Sequence, residues 1–360
     1  MMRLARLTPW TAVAPAPGDR SRRAGLVLAG LFPAVLLAAL IGLATGPTPM
    51  PLHELLAVLS GINDDPLLAE VVWNLRLPRV IGAIIVGAAL GAAGVALQGL
   101  FRNPLADPGL VGVAAGASLG AVGVIVLGAT WLAPLTALTG SFALPIAAFI
   151  GALAATALVY RLAASRNGQA AVATLLLAGI AINAIAGAAT GLLVYAADDQ
   201  QLRSLTFWSM GSLAHAGWPL WTVSGLMVAI ALALLPRLAA ALNGLMLGEA
   251  VATHLGFPVD RIKRAVIVLV ALAVGAAVAA AGTIGFVGLV VPHLLRMVIG
   301  PDHRYLLPAS ALGGALLLLL ADAIARVIVS PAELPIGLLT ALIGGPFFLW
   351  LLMRQTRHWG

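Results

Sequence analysis

The sequence predicts an all-α polytopic membrane protein with about ten transmembrane helices per subunit. Three observations carry that prediction. The 360 residues are 61% hydrophobic and 9% charged, with a mean hydropathy of +1.06. A soluble chain has about 25% charged and about 45–50% apolar residues. In water this composition would leave large exposed apolar patches. Apolar runs of spanning length recur along the chain, and the basic residues gather at their ends. A cytosolic enzyme and a disordered protein are excluded. The formal charge of +7 belongs to membrane topology and anionic headgroups, so nucleic acid is not a partner.

A spanning helix needs roughly 20 mostly apolar residues. The first run, 24–45, follows a tail, 1–23, whose Pro-Gly-Arg composition predicts disorder. Ser21-Arg22-Arg23 resembles a twin-arginine export signal. The apolar run is too long for a signal peptide, and no small-x-small cleavage site follows it. The tail is therefore read as the cytoplasmic flank of a retained helix. Further spans are predicted at 78–100, 108–129, 139–160, 170–195, 217–236, 265–283, 284–299, 306–328 and 335–353. The eighth is the shortest. Glycines at small-xxx-small spacing, such as Gly87 and Gly91, allow close helix packing in lipid. With both termini inside, only Arg76, Arg79, Arg203 and Arg326 of the basic residues fall outside. That asymmetry fixes the orientation.

Cysteine is absent, so disulfides and thiolate metal sites are excluded. The single lysine, Lys263, follows Ile262, which rules out a phosphate-binding G-x-x-x-x-G-K-[ST] loop. Carboxylates inside the predicted spans reduce to Asp322. It lies four residues before Arg326 and reads as a structural i,i+4 pair. An ion-coupled carrier usually buries several such groups. The chain reads as a pathway whose energy comes from elsewhere.

Between spans six and seven, the stretch from Leu247 to Pro258 is polar enough to leave the membrane. Its pattern is helical from Glu249 to Leu255, bracketed by Gly248 and Gly256 and stopped by Pro258. Chemistry alone leaves a plain connector and a helix docked in a partner's groove both open.

This segment resembles the coupling helix of the FecCD/BtuC-type permeases, the membrane subunits of type II ATP-binding-cassette importers. The resemblance extends over nearly the whole chain after the tail. It is carried by Arg76-Leu77-Pro78-Arg79, the run from Gln98 to Gly109, Gly179 to Ala184 and Trp208 to Leu213. Gly285 to Arg296, Gly300 to Arg304 and Glu333 to Gly337 complete it. The resemblance implies a homodimer with the pathway on its twofold axis, in the bacterial inner membrane. Two cytoplasmic ATPase subunits would bind ATP, and a periplasmic binding protein would deliver cargo. Gly248, Glu249, Ala250, Ala252, His254, Leu255 and Gly256 would couple to the ATPase. The chain itself would have no catalytic residue, no metal site and no permanent cofactor.

Asn103-Pro104-Leu105-Ala106-Asp107-Pro108 reads as a stiff turn, because two prolines four apart cannot continue a helix and Asn and Asp accept local backbone bonds. His293 and His303 read as bonded at helix ends rather than as metal ligands.

The family carries ferric siderophores, cobalamin and haem. The run Asp198-Asp199-Gln200-Gln201-Leu202-Arg203, followed by Thr206-Phe207-Trp208, resembles the haem-permease branch. Haem is then cargo, delivered by a periplasmic haem-binding protein, and its pathway would include Arg203, Asn183 and Trp208. Two copies of Arg203 could face the two propionates. Equally, Asp198 and Asp199 could pair with Arg203 within a loop. Met210 and His215 could ligate iron, but a pathway must release its cargo. Arg76 and Arg79 are candidates for docking the binding protein, or for anchoring headgroups. The alternatives are a ferric-siderophore or cobalamin permease and, from another class, an ion-coupled secondary transporter.

Overall fold

The computed structural model describes residues 20–46, 50–63, 65–163, 172–214, 216–330 and 332–356. Arg3, Arg6, Arg166, His215 and Arg357 lie outside them. Among the described residues all regular structure is helical, and none is strand. In order the helices are α1 (Ser21–Ala44), α2 (Leu52–Leu59), α3 (Pro66–Glu70), α4 (Leu77–Phe101), α5 (Val113–Leu127), α6 (Ala133–Thr139), α7 (Ala143–Ala163) and α8 (Val172–Tyr195). They continue as α9 (Asp199–Ser209), α10 (Trp218–Leu234), α11 (Ala239–Met246), α12 (Glu249–His254), α13 (Val259–Ala281), α14 (Val287–Ile299), α15 (His303–Val327) and α16 (Ile336–Thr356).

Seven helical stretches are long and apolar enough to cross a membrane, and three shorter apolar helices accompany them. Each predicted span coincides with one of these stretches. The boundaries differ where local chemistry intervenes. α1 begins at Ser21, so the last three residues assigned to the tail are helical. The span predicted from 108 becomes an α-helix only at Val113. Pro108–Val111 is a 3-10 turn capped by Asp107 and closed by Gly112 at φ 81°. α13 starts six residues before the predicted span, carrying Asp260, Arg261, Lys263 and Arg264 in its first turns. α14 has 13 residues because the chain from Gly282 to Phe286 is not helical.

α4 and α13 form the centre, with long buried stretches. α15 packs along α4 over most of its length. A Cβ on Gly87 would fall 2.3 Å from the Gly314 carbonyl oxygen, and one on Gly91 2.0 Å from that of Ser310. Backbones touch there, which is how helices gain dispersion energy in a solvent as apolar as their own side chains. α8 and α16 stay largely exposed along their lengths.

Candidate functional site: the two ends of the bundle

At one end of α4 the chain collects five charged side chains. Asp322 accepts from the Nε of Arg79 at 2.8 Å and pairs with the Nε of Arg326 at 3.1 Å. Arg79 also reaches Glu333 through Nη1 at 2.6 Å. Arg326 donates to the carbonyls of Gly42 at 2.8 Å and Thr45 at 3.0 Å. Arg76 donates to those of Leu43 at 2.6 Å and Ala44 at 3.2 Å. The last carbonyls of α1 have no partner within the helix, and the macrodipole makes that end negative. Two arginines fill both needs. The i,i+4 pair of Asp322 and Arg326 is present as expected. Arg76 and Arg79 are placed differently from their reading as surface contacts. They are only 6% and 9% exposed, because their guanidiniums serve the α1 carbonyls and the Asp322 and Glu333 carboxylates. Glu333, whose side chain is 35% exposed, is the member of the cluster that faces outward.

The same end carries α9. The segment read as a loop is a helix, nucleated by a capping box. The Asp198 carboxylate accepts the Gln201 N–H at 2.8 Å, and the Gln201 side chain accepts the Asp198 N–H at 3.1 Å. Asp198 is thereby engaged in capping, and among the described residues no carboxylate pairs with Arg203. Arg203 is exposed on α9. Trp208, half-buried, lines a cavity of about 420 Å³ with Phe207, Pro145 and Leu220. Asn183 does not join them. It stands on α8 and donates its amide to the Gly109 carbonyl at 3.0 Å, tying α8 to the turn before α5.

The turn itself follows its chemistry. The Asn103 side chain accepts the Leu105 N–H at 2.9 Å, and that of Asp107 accepts the Gly109 N–H at 2.8 Å. Burial pushes the Asp107 carboxyl above its ordinary range, against the opposing pull of that N–H.

At the opposite end lies α12, six residues opened by Gly248 at φ 115°. Ala252 is fully buried, whereas Ala250, Val251, Thr253, His254, Leu255 and Gly256 are exposed. Glu249 turns its carboxylate toward its own bundle, 2.6 Å from the Nζ of Lys263. Beside this end, the Asn243 side chain accepts the His303 N–H at 2.9 Å, lies 2.7 Å from its Nδ1, and donates to Asp302 at 2.8 Å. Asp302 also takes the Arg304 guanidinium at 2.7 Å. Burial alone would raise the Asp302 carboxyl, but the hydrogen bonds from Arg304 and Asn243 outweigh it and bring the pKa down to about 2. The Glu249–Lys263 and Arg79–Asp322 pairs had no sequence signal, because their partners stand on different helices.

Helices of spanning length, an exposed short helix at one end and a capped helix at the other match a transport subunit. The model of the FecCD transport family matches residues 34–354. The chain belongs to the FecCD transport family. It is similar to the hemin transport system permease protein HmuU of Yersinia pestis, 49% identical over 335 residues, which cover 93% of this chain and 98% of the relative. It is 44% identical over 288 residues to the cobalamin import system permease protein BtuC of Halobacterium salinarum, covering 80% and 74% of the two chains. Among solved structures it resembles an inward-facing conformation of a metal-chelate type ABC transporter. There the TM-score is 0.80 at 34% identity, covering 92% of this chain and 99% of that one. The FecCD member described here is thus a multi-pass membrane permease of the importer class whose relatives are named for hemin and vitamin B12. That membership sets aside the ion-coupled carrier.

Proposed function

We propose that this FecCD permease translocates haem inward, as a homodimer driven by two cytoplasmic ATP-binding-cassette ATPases and supplied by a periplasmic haem-binding protein. The supporting observation is the 49% identity to a hemin permease along nearly the full length of both chains. The energy enters at α12, whose exposed face from Ala250 to Gly256 meets the ATPase. Cargo enters at the α9 end, where the exposed guanidinium of Arg203 meets a propionate in bidentate fashion. The binding protein docks at the same end, where Glu333 is the outward-facing member of the charged cluster. Both termini face the cytoplasm.

The test is uptake into proteoliposomes holding the chain with its ATPase and binding protein, comparing haem, a ferric siderophore and cobalamin with and without ATP. ATP-dependent uptake of haem alone is the expected result, and preference for another cargo overturns the haem assignment. Arg203→Ala lowers haem uptake by about tenfold, roughly the worth of one charge-assisted contact, with assembly intact. Undiminished uptake returns Arg203 to a solvated helix face.

A further inference from the structure

We propose that the cavity enclosed by the start of α1, the ends of α11 and α14 and the start of α15 binds the headgroup of an anionic phospholipid of the cytoplasmic leaflet. This rests on the proposed orientation, in which those four helix ends lie at the cytoplasmic face.

The four ends meet around a cavity of about 500 Å³. Arg20 stands just before α1, Met246 closes α11, Ile299 closes α14, and Tyr305 belongs to the first turn of α15. The lining is of two kinds. Met246, Leu247 and Ile299 make an apolar wall, with Leu247 67% exposed at its edge. Arg20, Asn243 and Tyr305 bring polar groups to the same space. One water takes about 30 Å³ in the liquid, so the cavity is larger than a single inorganic ion needs.

The charge around it is unbalanced. Asp302, the carboxylate in the lining, is already engaged by the Arg304 guanidinium at 2.7 Å and the Asn243 amide at 2.8 Å. Arg20 has no such partner. Its side chain lies across Gly300, which ends α14 at φ 90°, and a Cβ there would fall 3.4 Å from the Arg20 Cδ. Its guanidinium meets no carboxylate among the described residues, and the same holds for the exposed Arg22 and Arg23 beside it on α1. Three guanidiniums without counter-charge therefore border a cavity with an apolar wall. A guanidinium takes a phosphate in a bidentate fork, and basic pockets between spanning helices on the cytoplasmic side collect anionic headgroups. A free inorganic anion would leave the wall bare. An apolar segment of another protein would leave the arginines unneutralised. A phospholipid satisfies both.

The experiment uses the purified full chain in detergent and titrates it with phosphatidylglycerol or, as the uncharged control, phosphatidylcholine, counting bound lipid by native mass spectrometry. Phosphatidylglycerol binds at least tenfold more tightly. Arg20→Ala weakens it about tenfold, the worth of one charge-assisted contact, and Met246→Trp, which fills the cavity from α11, weakens it similarly. Arg161→Ala, an exposed arginine outside the cavity, leaves it within about twofold. Equal loss in Arg20→Ala and Arg161→Ala overturns the site in favour of general surface charge. Displacement of the lipid by millimolar inorganic phosphate overturns it in favour of a free anion. Release of the lipid when the ATPase subunits assemble assigns the cavity to that partner, and a severalfold gain on removing residues 1–18 assigns it to the chain itself. The orientation is checked separately. The chain has no cysteine, so Leu247→Cys reacts with a membrane-impermeant thiol reagent from the cytoplasmic side only. Reaction from the periplasmic side overturns the orientation, whereas binding in detergent, which has no sides, reports on the cavity alone.

Discussion

Asp322 lies between two guanidiniums, with its side chain 2% exposed. Its charge makes the burial of Arg79 and Arg326 tolerable, since taking an ion out of water costs several kcal/mol unless it is paired. Asp322→Asn keeps the shape and removes the charge. It should lower the stability of the folded protein by about 3–5 kcal/mol, read as an earlier thermal transition in detergent, and leave cargo preference unaltered. Asp302 gives a second residue-level test, through pH. Its folded pKa of about 2 lies below the ordinary 3.8. The folded state thus binds a proton less readily than the unfolded chain. Asp302 therefore stabilises fully above about pH 4, and its contribution is lost as pH falls from there toward 2. Asp302→Ala should melt earlier than the native chain at pH 7, and the gap should close at pH 2. A gap that persists there would assign the effect to packing.

At the scale of elements, the fold depends on helices whose backbones touch. A Cβ at Gly91 would lie 2.0 Å from the Ser310 carbonyl oxygen, and neither backbone can yield without parting α4 from α15. Gly91→Val should cost about 1–3 kcal/mol or more, as overpacked interiors do. Its measurement is the same detergent melt, and Gly123→Val serves as the control, since a Cβ at Gly123 meets nothing within 4 Å. The spacing of Gly87 and Gly91 was legible as a packing face, although nothing in it named α15 as the partner. α9 shows the opposite case. Its capping box, Asp198 with Gln201 three residues on, is written in the sequence, yet the low apolar content of the segment reads as a loop. The short-range bonds of the cap outweighed that composition. In α5 the two prolines and Asp107 delayed the helix to Val113, a local effect that hydropathy does not register.

For the whole molecule, the arrangement places α12 and α9 at opposite ends of α13, so the two lie on opposite sides of the membrane. In the cysteine-free chain, Thr253→Cys should react with a membrane-impermeant thiol reagent only from the cytoplasmic side, and Ser204→Cys only from the periplasmic side. Labelling of both from one side would contradict the orientation read from the basic residues. Both positions are exposed.

By itself the sequence determined that the chain is a helical membrane permease, where each span lies and which family it belongs to. Hydropathy, arginine placement and ordered motifs are properties of contiguous residues, and they survive without knowledge of neighbours in space. The tertiary structure alone decided what the charged residues do. Arg79 and Asp322 stand 243 positions apart, and Lys263 meets Glu249 across a glycine-proline turn. In a medium that offers no water, a charge takes whichever opposite charge or carbonyl the packing brings to it. That choice is made between helices, so residues read singly as surface contacts became the internal joints of the bundle.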